Sequence, residues 1–261
     1  MARFVYRVLK LASSSGRIRG RINDYSQFHT DLTVDKTVGS DNGEFINIKG
    51  IIFDMDGTLT LPVYDGRELL KRLPLPPDTN DILVSVMQLD GPKRTKAMRT
   101  IEQYEEEMEE KTELQPHVLK LLHFIASNGV KLALVTRNTL KGTKVFLDLL
   151  QAEADKDTTH SVVMADMFSQ IITRDNHSIP TKPDPAPVMH ICSHWGLSPG
   201  ATLMVGDDWK DIMCGNKAGS VTVLLRNHRN HDHPSKAKPN FVVDSLSEII
   251  SLLQSPFTIE V

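Results

Sequence analysis

The stretch Gly50-Ile51-Ile52-Phe53-Asp54-Met55-Asp56-Gly57-Thr58-Leu59-Thr60 decides how this chain is read. Its first half belongs to an apolar run, Ile46–Asp54, that suits a strand covered on both faces. Its second half opens with carboxylates at i and i+2, which a straight strand would aim to one face. Gly57 follows at once and lets the chain turn, so both acids can enter one pocket at the strand's end. Carboxylates that close repel each other unless a proton or a cation sits between them. An aspartate pair also serves as an ordinary turn or helix cap, so this segment alone leaves both readings open.

Working outward, five more runs read as strands: Lys131–Thr136, Gln170–Arg174, Thr202–Asp207, Val221–Leu225 and Phe241–Val243. Helical patterns separate several of them. Pro116 is placed to open one as its first residue, with Val118, Leu119, Leu121, Leu122 and Ile125 as the buried stripe and Gly129 just past the end. Pro185 opens another that closes near Gly196, and Leu246–Leu253 follows Asp244 or Ser245 as a cap. The alternation argues an α/β fold, a Rossmann-like three-layer sandwich around a mainly parallel sheet. Ligands of such sheets sit beyond the carboxyl ends of the strands.

Between Leu61 and Gln115 the rhythm breaks into helical segments alone, Gly66–Leu73, Asp78–Leu89 and Lys93–Lys111. The last has Met98, Ile101, Tyr104 and Met108 at helical spacing, and Glu102, Glu105, Glu106, Glu107, Glu109 and Glu110 are expected to form its solvated face. Lys93, Arg94, Lys96 and Arg99 at its start read as surface charge, or as handles for an anionic part of a ligand. The region reads as a small helical insert.

Three groups at later strand ends change the weight of the aspartate pair. Thr136, followed by Arg137 and Asn138, can hold an anion with its hydroxyl and nearby N–H groups, or simply cap a helix. Lys182 stands in Thr181-Lys182-Pro183-Asp184-Pro185, where two prolines stiffen the chain that carries the ammonium. Asp207, Asp208 and Asp211 follow in Gly206-Asp207-Asp208-Trp209-Lys210-Asp211, and their oxygens suit a hard cation such as Mg²⁺.

Taken together, DMDGTLT, VTRN, TKPDP and VGDDWKD resemble, in order, the four motifs of the haloacid dehalogenase-like (HAD) hydrolases. The resemblance runs from Lys49 to about Leu253 and points to the phosphoglycolate phosphatase-like branch. The chain is also similar to a small fungal group of HAD hydrolases of unassigned substrate. The resemblance implies a Rossmann-like core over 46–61 and 116–261 and a helical C1 cap over 62–115. It implies Asp54 as nucleophile and Asp56 as general acid and then base. Thr136 and Lys182, with Arg137 and Asn138 beside them, would grip the phosphate. Mg²⁺ would be held by Asp54, Asp56 through its carbonyl, and Asp207. Asp211 would orient Lys182 or hold a metal-bound water, and Asp208, where relatives carry a serine, would cap the next helix or neighbour the metal. The dehalogenase branch has one acid where this chain has two, which favours phosphoryl transfer. The expected activity is hydrolysis of a small phosphorylated metabolite. A sugar phosphomutase and a non-catalytic binding module are the alternatives.

The 261 residues carry 30 basic and 33 acidic side chains, a net charge of -3 that gives no electrostatic case for nucleic-acid binding. No apolar run is long enough to span a bilayer, so no membrane role is expected. Two cysteines exclude a disulfide scaffold; Cys192 and Cys214, with Trp195 and Met189, read as core packing. Residues 1–23 carry six basic residues and no acid, on an amphipathic helical pattern over 3–12 followed by three serines. That is the composition of a mitochondrial transit peptide. The alternative is a basic tail on a cytoplasmic protein. Residues 24–45 read as a linker, and Asn227–His233, with His228, His231 and His233, as a solvated loop whose first histidine can reach the pocket. Oligomeric state is not legible.

Overall fold

The computed structural model describes residues 47–156, 164–230 and 237–254, with the backbone of three short outlying strands. Those three are β1 (Arg17–Gly20), β2 (Val34–Asp35) and β9 (Phe257–Ile259). They pair in the order β2-β1-β9, so the stretch expected to be all linker contains a strand. The helical pattern over 3–12 and the histidines at 231 and 233 lie outside the described residues.

The central sheet holds β3 (Gly50–Phe53), β4 (Lys131–Val135), β5 (Phe168–Ile172), β6 (Thr202–Gly206), β7 (Val221–Leu225) and β8 (Phe241–Val243). Their order is β5-β4-β3-β6-β7-β8, and every neighbouring pair is parallel. Alternation along the strands sorts the side chains to two faces. Ile51, Phe53, Leu132, Leu134, Leu203 and Val205 face one apolar cluster, under α4 (Val118–Ser127), α5 (Leu140–Ala154) and α8 (Leu246–Gln254). Ile52, Ala133, Val135 and Met204 face the other, under α6 (Ala186–Trp195) and α7 (Trp209–Ala218). This is the three-layer sandwich expected from the alternating elements.

Register places the chemistry. Phe53 lies opposite Leu134 on one side and Val205 on the other. The next residues of all three strands therefore emerge together: Asp54, then Thr136 one step beyond Val135, and Asp207 one step beyond Gly206. The Asp54 N–H still reaches Val205 O at 2.8 Å, and the Thr136 N–H reaches Ile172 O at 2.9 Å, which holds both at the rim.

The insert is α1 (Gly66–Lys71), α2 (Ile82–Met87) and α3 (Gly91–Glu109). Each begins on an aspartate N-cap, Asp65, Asp81 and Asp90, whose carboxylates accept first-turn N–H groups. These caps move the second and third helix starts from 78 and 93 to Ile82 and Gly91. Leu69, Val86, Ala97, Ile101 and Tyr104 form a separate apolar cluster there. The Tyr104 hydroxyl bonds the Asp65 N–H and carbonyl, each at 3.1 Å.

Some local expectations differ. Pro116 does not start α4; Pro116 and His117 form a turn closed by Val118 N–H to Gln115 O, with His117 at φ 67. Strand β5 begins at Phe168, two residues before the expected 170, because Phe168 pairs with Leu132. Helix α8 is capped by Ser245, whose hydroxyl accepts the Ser247 N–H. Cys192, Cys214 and Trp195 are buried as expected, whereas Met189 is exposed. The glutamates of α3 are not all solvated, because several pair with the core.

Candidate active site

Lys182 is the centre of the site. It is buried, and its ammonium spends all three N–H groups. It meets Asp54 Oδ1 at 2.5 Å, Asp211 Oδ1 at 2.7 Å and the carbonyl of Val135 at 2.7 Å. Burial works against the charge, but the Asp211 and Asp54 carboxylates outweigh it and lift the lysine above its ordinary value. The lysine expected to grip phosphate is thus also the group that holds the carboxylates together.

Carboxylate oxygens of Asp54, Asp207 and Asp211 all lie within 4.8 Å of one another. Burial raises all three acids; the Asp56 charge adds to the rise at Asp54, and the Asp54 charge adds to it at Asp207 and Asp211. Asp207 is pushed well above the usual range by burial, then by Asp54 and Asp211, while a hydrogen bond from Asn227 opposes the shift. Asp211 is pushed up to about 7 by burial and Asp54, against the pull of Lys182. Three acids thus face one ammonium. Oxygen donors in charge excess fit a hard divalent cation, and Mg²⁺ matches that donor set. Two glycines make the approach possible: a Cβ on Gly57, at φ +85, would overlap the Asp207 carboxylate, and one on Gly206 would overlap Asp211.

Asp207 is fixed by the loop after β7. Asn227 donates to its carboxylate at 2.8 Å; buried Asn230 donates to its carbonyl at 2.9 Å and to Leu225 O at 2.8 Å. Reading the stretch 227–233 as a solvated loop misses both asparagines. Their one signal in sequence is position, directly after a strand whose carboxyl end lies at the same rim. His228 is exposed and accepts a bond from Arg229, so it does not serve the pocket. Asp208 caps α7, accepting the Lys210 N–H, and Asp211 Oδ2 returns the bond to the Asp208 N–H at 2.9 Å. Its place is the cap rather than the acid cluster.

The Thr136 hydroxyl is buried and accepts the Asn138 N–H at 2.9 Å; the cap of α5 is Thr139, not Thr136. Asn138, expected beside the phosphate, turns its side chain to Asp56. Its amide donates to both oxygens of Asp56, at 3.2 and 3.4 Å, while its own oxygen accepts the Thr139 N–H at 2.7 Å. Burial pushes Asp56 up to about 6, with the Asn138 bond pulling the other way and Glu105 adding to the rise.

Arg137 turns to the insert, pairing with Asp81 at 2.7 Å. Arg174, two residues beyond β5, meets both Glu105 oxygens at 2.6 and 2.7 Å. Lys141 pairs with Glu106 at 2.8 Å and Glu109 at 3.4 Å, and Arg229 donates to Tyr64 O at 2.6 Å. Lys93, among the expected anion handles, is held by Asp90.

A six-stranded parallel sheet with an acid cluster at its carboxyl rim and a helical insert after the first core strand defines a Rossmann-like α/β protein with a candidate cation-binding rim. The family model described as haloacid dehalogenase-like hydrolase matches residues 75–225. A haloacid dehalogenase-like hydrolase domain-containing protein of Arabidopsis thaliana is 35% identical over 225 residues, spanning 80% of this chain and 85% of its own. An uncharacterized hydrolase of Saccharomyces cerevisiae is 32% identical over 216 residues, 80% of this chain and 92% of its own. A phosphoglycolate phosphatase of Pasteurella multocida is 32% identical over 143 residues, 54% of this chain and 58% of its own. The chain belongs to the haloacid dehalogenase-like hydrolase family. The matched interval contains Thr136, Lys182, Asp207 and Asp211; it starts after Asp54 and Asp56, which join the site through geometry.

Proposed function

We propose that the protein is a Mg²⁺-dependent phosphomonoesterase that acts on a small phosphorylated metabolite through an aspartyl-phosphate at Asp54. The observation that carries this reading is the convergence of Asp54, Asp207 and Asp211 on one rim with Lys182 between them. The phosphatase named among the relatives supports it.

The chemistry follows from the groups present. An Asp54 oxygen attacks phosphorus and the ester P–O bond breaks. Protonated Asp56 gives its proton to the leaving alkoxide. Water then attacks the phosphorus of the aspartyl-phosphate, Asp56 takes a proton from it, and inorganic phosphate leaves with Asp54 restored. Mg²⁺, held by Asp54, Asp207 and the Asp56 carbonyl, would supply the positive charge that lets a phosphate dianion approach a carboxylate. Thr136 and the N–H groups after it would bind the non-bridging oxygens, and Lys182 would join them by exchanging its contact with Asp54 Oδ1 for a phosphate oxygen. Asp211 keeps the ammonium in place.

Purified protein with Mg²⁺ is expected to release p-nitrophenol from p-nitrophenyl phosphate. EDTA should stop the reaction and added Mg²⁺ should restore it. No phosphate release across a panel of phosphoesters would reject the reading. Asn138→Ala is expected to lower kcat for alkyl phosphates about tenfold, a part of the roughly 10²–10⁴-fold that acid–base assistance supplies, because Asp56 itself remains. It should change p-nitrophenyl phosphate turnover far less, since that leaving group needs little protonation. Equal losses on both substrates would remove Asn138 from the positioning of Asp56.

The basic, acid-free leader over 1–23 supports import into mitochondria. A fusion of residues 1–45 to a fluorescent reporter that stays in the cytosol would reject that destination.

A further inference from the structure

Both guanidiniums at the rim are already claimed by carboxylates of the insert. Arg137 directly follows Thr136, and Arg174 is tied to the same corner by its N–H to Asn138 O at 3.1 Å. Asn138 in turn bonds Asp56, the group assigned to the leaving alkoxide. The Arg174–Glu105 pair is bidentate, with side chains 12% and 13% exposed; Arg137 and Asp81 are each 20% exposed. Glu105 sits close enough to Asp56 to act on its charge, and Tyr64 feels Glu105, Arg174 and Arg137 together. Three further cations are also engaged: Lys210 with Asp208 at 3.4 Å, Lys141 with Glu106, and Arg229 with Tyr64 O. The pairs joined through Asn138 to Asp56 are therefore polar and charge-balanced.

We infer that the substrate is the phosphate ester of a neutral, hydroxylated compound, such as a polyol or sugar, and that esters bearing a second anionic group are disfavoured. The inference rests on the phosphatase reading and narrows its substrate class. A distal carboxylate would have to separate a largely buried Arg–Glu or Arg–Asp pair and strand the displaced acid beside Asp56. A hydroxyl group has no such cost. It can donate to the carboxylates of these pairs, or accept from the buried Arg137 Nε–H, which has no partner among the described residues. The insert's acids thus act as a built-in screen against acidic skeletons.

The test uses matched pairs that differ only in CH₂OH against COO⁻: glycerol 3-phosphate with 3-phosphoglycerate, and 2-hydroxyethyl phosphate with 2-phosphoglycolate. In each pair kcat/KM is expected to be at least about tenfold higher for the neutral skeleton. Glu105→Gln, which keeps the shape and releases Arg174 from its countercharge, should narrow that ratio; Asp81→Asn should do the same through Arg137. Turnover of p-nitrophenyl phosphate with equal or better use of the acidic partners overturns this inference and leaves the phosphatase reading standing. A wild-type preference that neither variant narrows overturns the assigned cause. No turnover of any ester overturns both.

Discussion

Asp54→Asn is expected to fold as well as the wild type, or slightly better, and to lose kcat by at least about 10⁴-fold, or roughly 5.5 kcal/mol of barrier. The two halves of that result have separate causes. Asparagine keeps the size of the side chain but offers phosphorus no anionic oxygen. It also takes one negative charge out of a buried cluster in which burial already raises Asp54, Asp207 and Asp211. Thermal unfolding should therefore show an unchanged or higher Tm while phosphate release disappears. A variant that retains wild-type turnover would place the nucleophile elsewhere. A variant that unfolds would mean the Asp54–Lys182 contact matters more to stability than the relief of repulsion.

Lys182→Met is expected to harm both properties. The methionine fills similar space, but three carboxylates are left buried with no ammonium among them. Breaking a buried ion pair by removing one partner costs about 3–5 kcal/mol, and the phosphate loses its lysine contact as well. The loss should depend on pH. Acids whose folded pKa is raised favour the folded state when protonated, and that contribution fades as pH climbs through the folded value. Lys182 is one of the groups that hold Asp211 down, so its loss raises that acid further, and the variant's deficit should be largest at alkaline pH and shrink as pH falls toward the ordinary carboxylate range. Adding Asp211→Asn should recover much of the Tm without recovering kcat. Melting curves at several pH values check the first claim, and phosphate release by the double variant checks the second.

Much of this arrangement was legible in the chain. Apolar runs before Asp54, Thr136 and Asp207 show strands, and parallel register then forces their next residues to one rim. Gly57 also has a readable reason in the turn after the acids, whereas the room that Gly206 leaves for Asp211 shows only in the structure. What the sequence hid was pairing between distant elements. Glu105 looks like any other member of an acidic helix face until Arg174 is found against it, 69 positions away. Asn227 and Asn230 sit in a polar loop whose composition says solvent; only the return of β7 to the sheet brings them to Asp207. Asn138 lies beside the expected phosphate cradle, and its contact with Asp56 is a matter of side-chain direction that spacing does not encode.

The insert packs around its own oily nucleus of Leu69, Val86, Ile101 and Tyr104, whereas the acids and Lys182 hang from the sheet beneath. On the substrate class proposed above, the acids that select and the acids that react would sit in different parts of one polypeptide. A chimaera that exchanges residues 62–115 for another lobe would inherit a new diet while keeping the old reactive machinery.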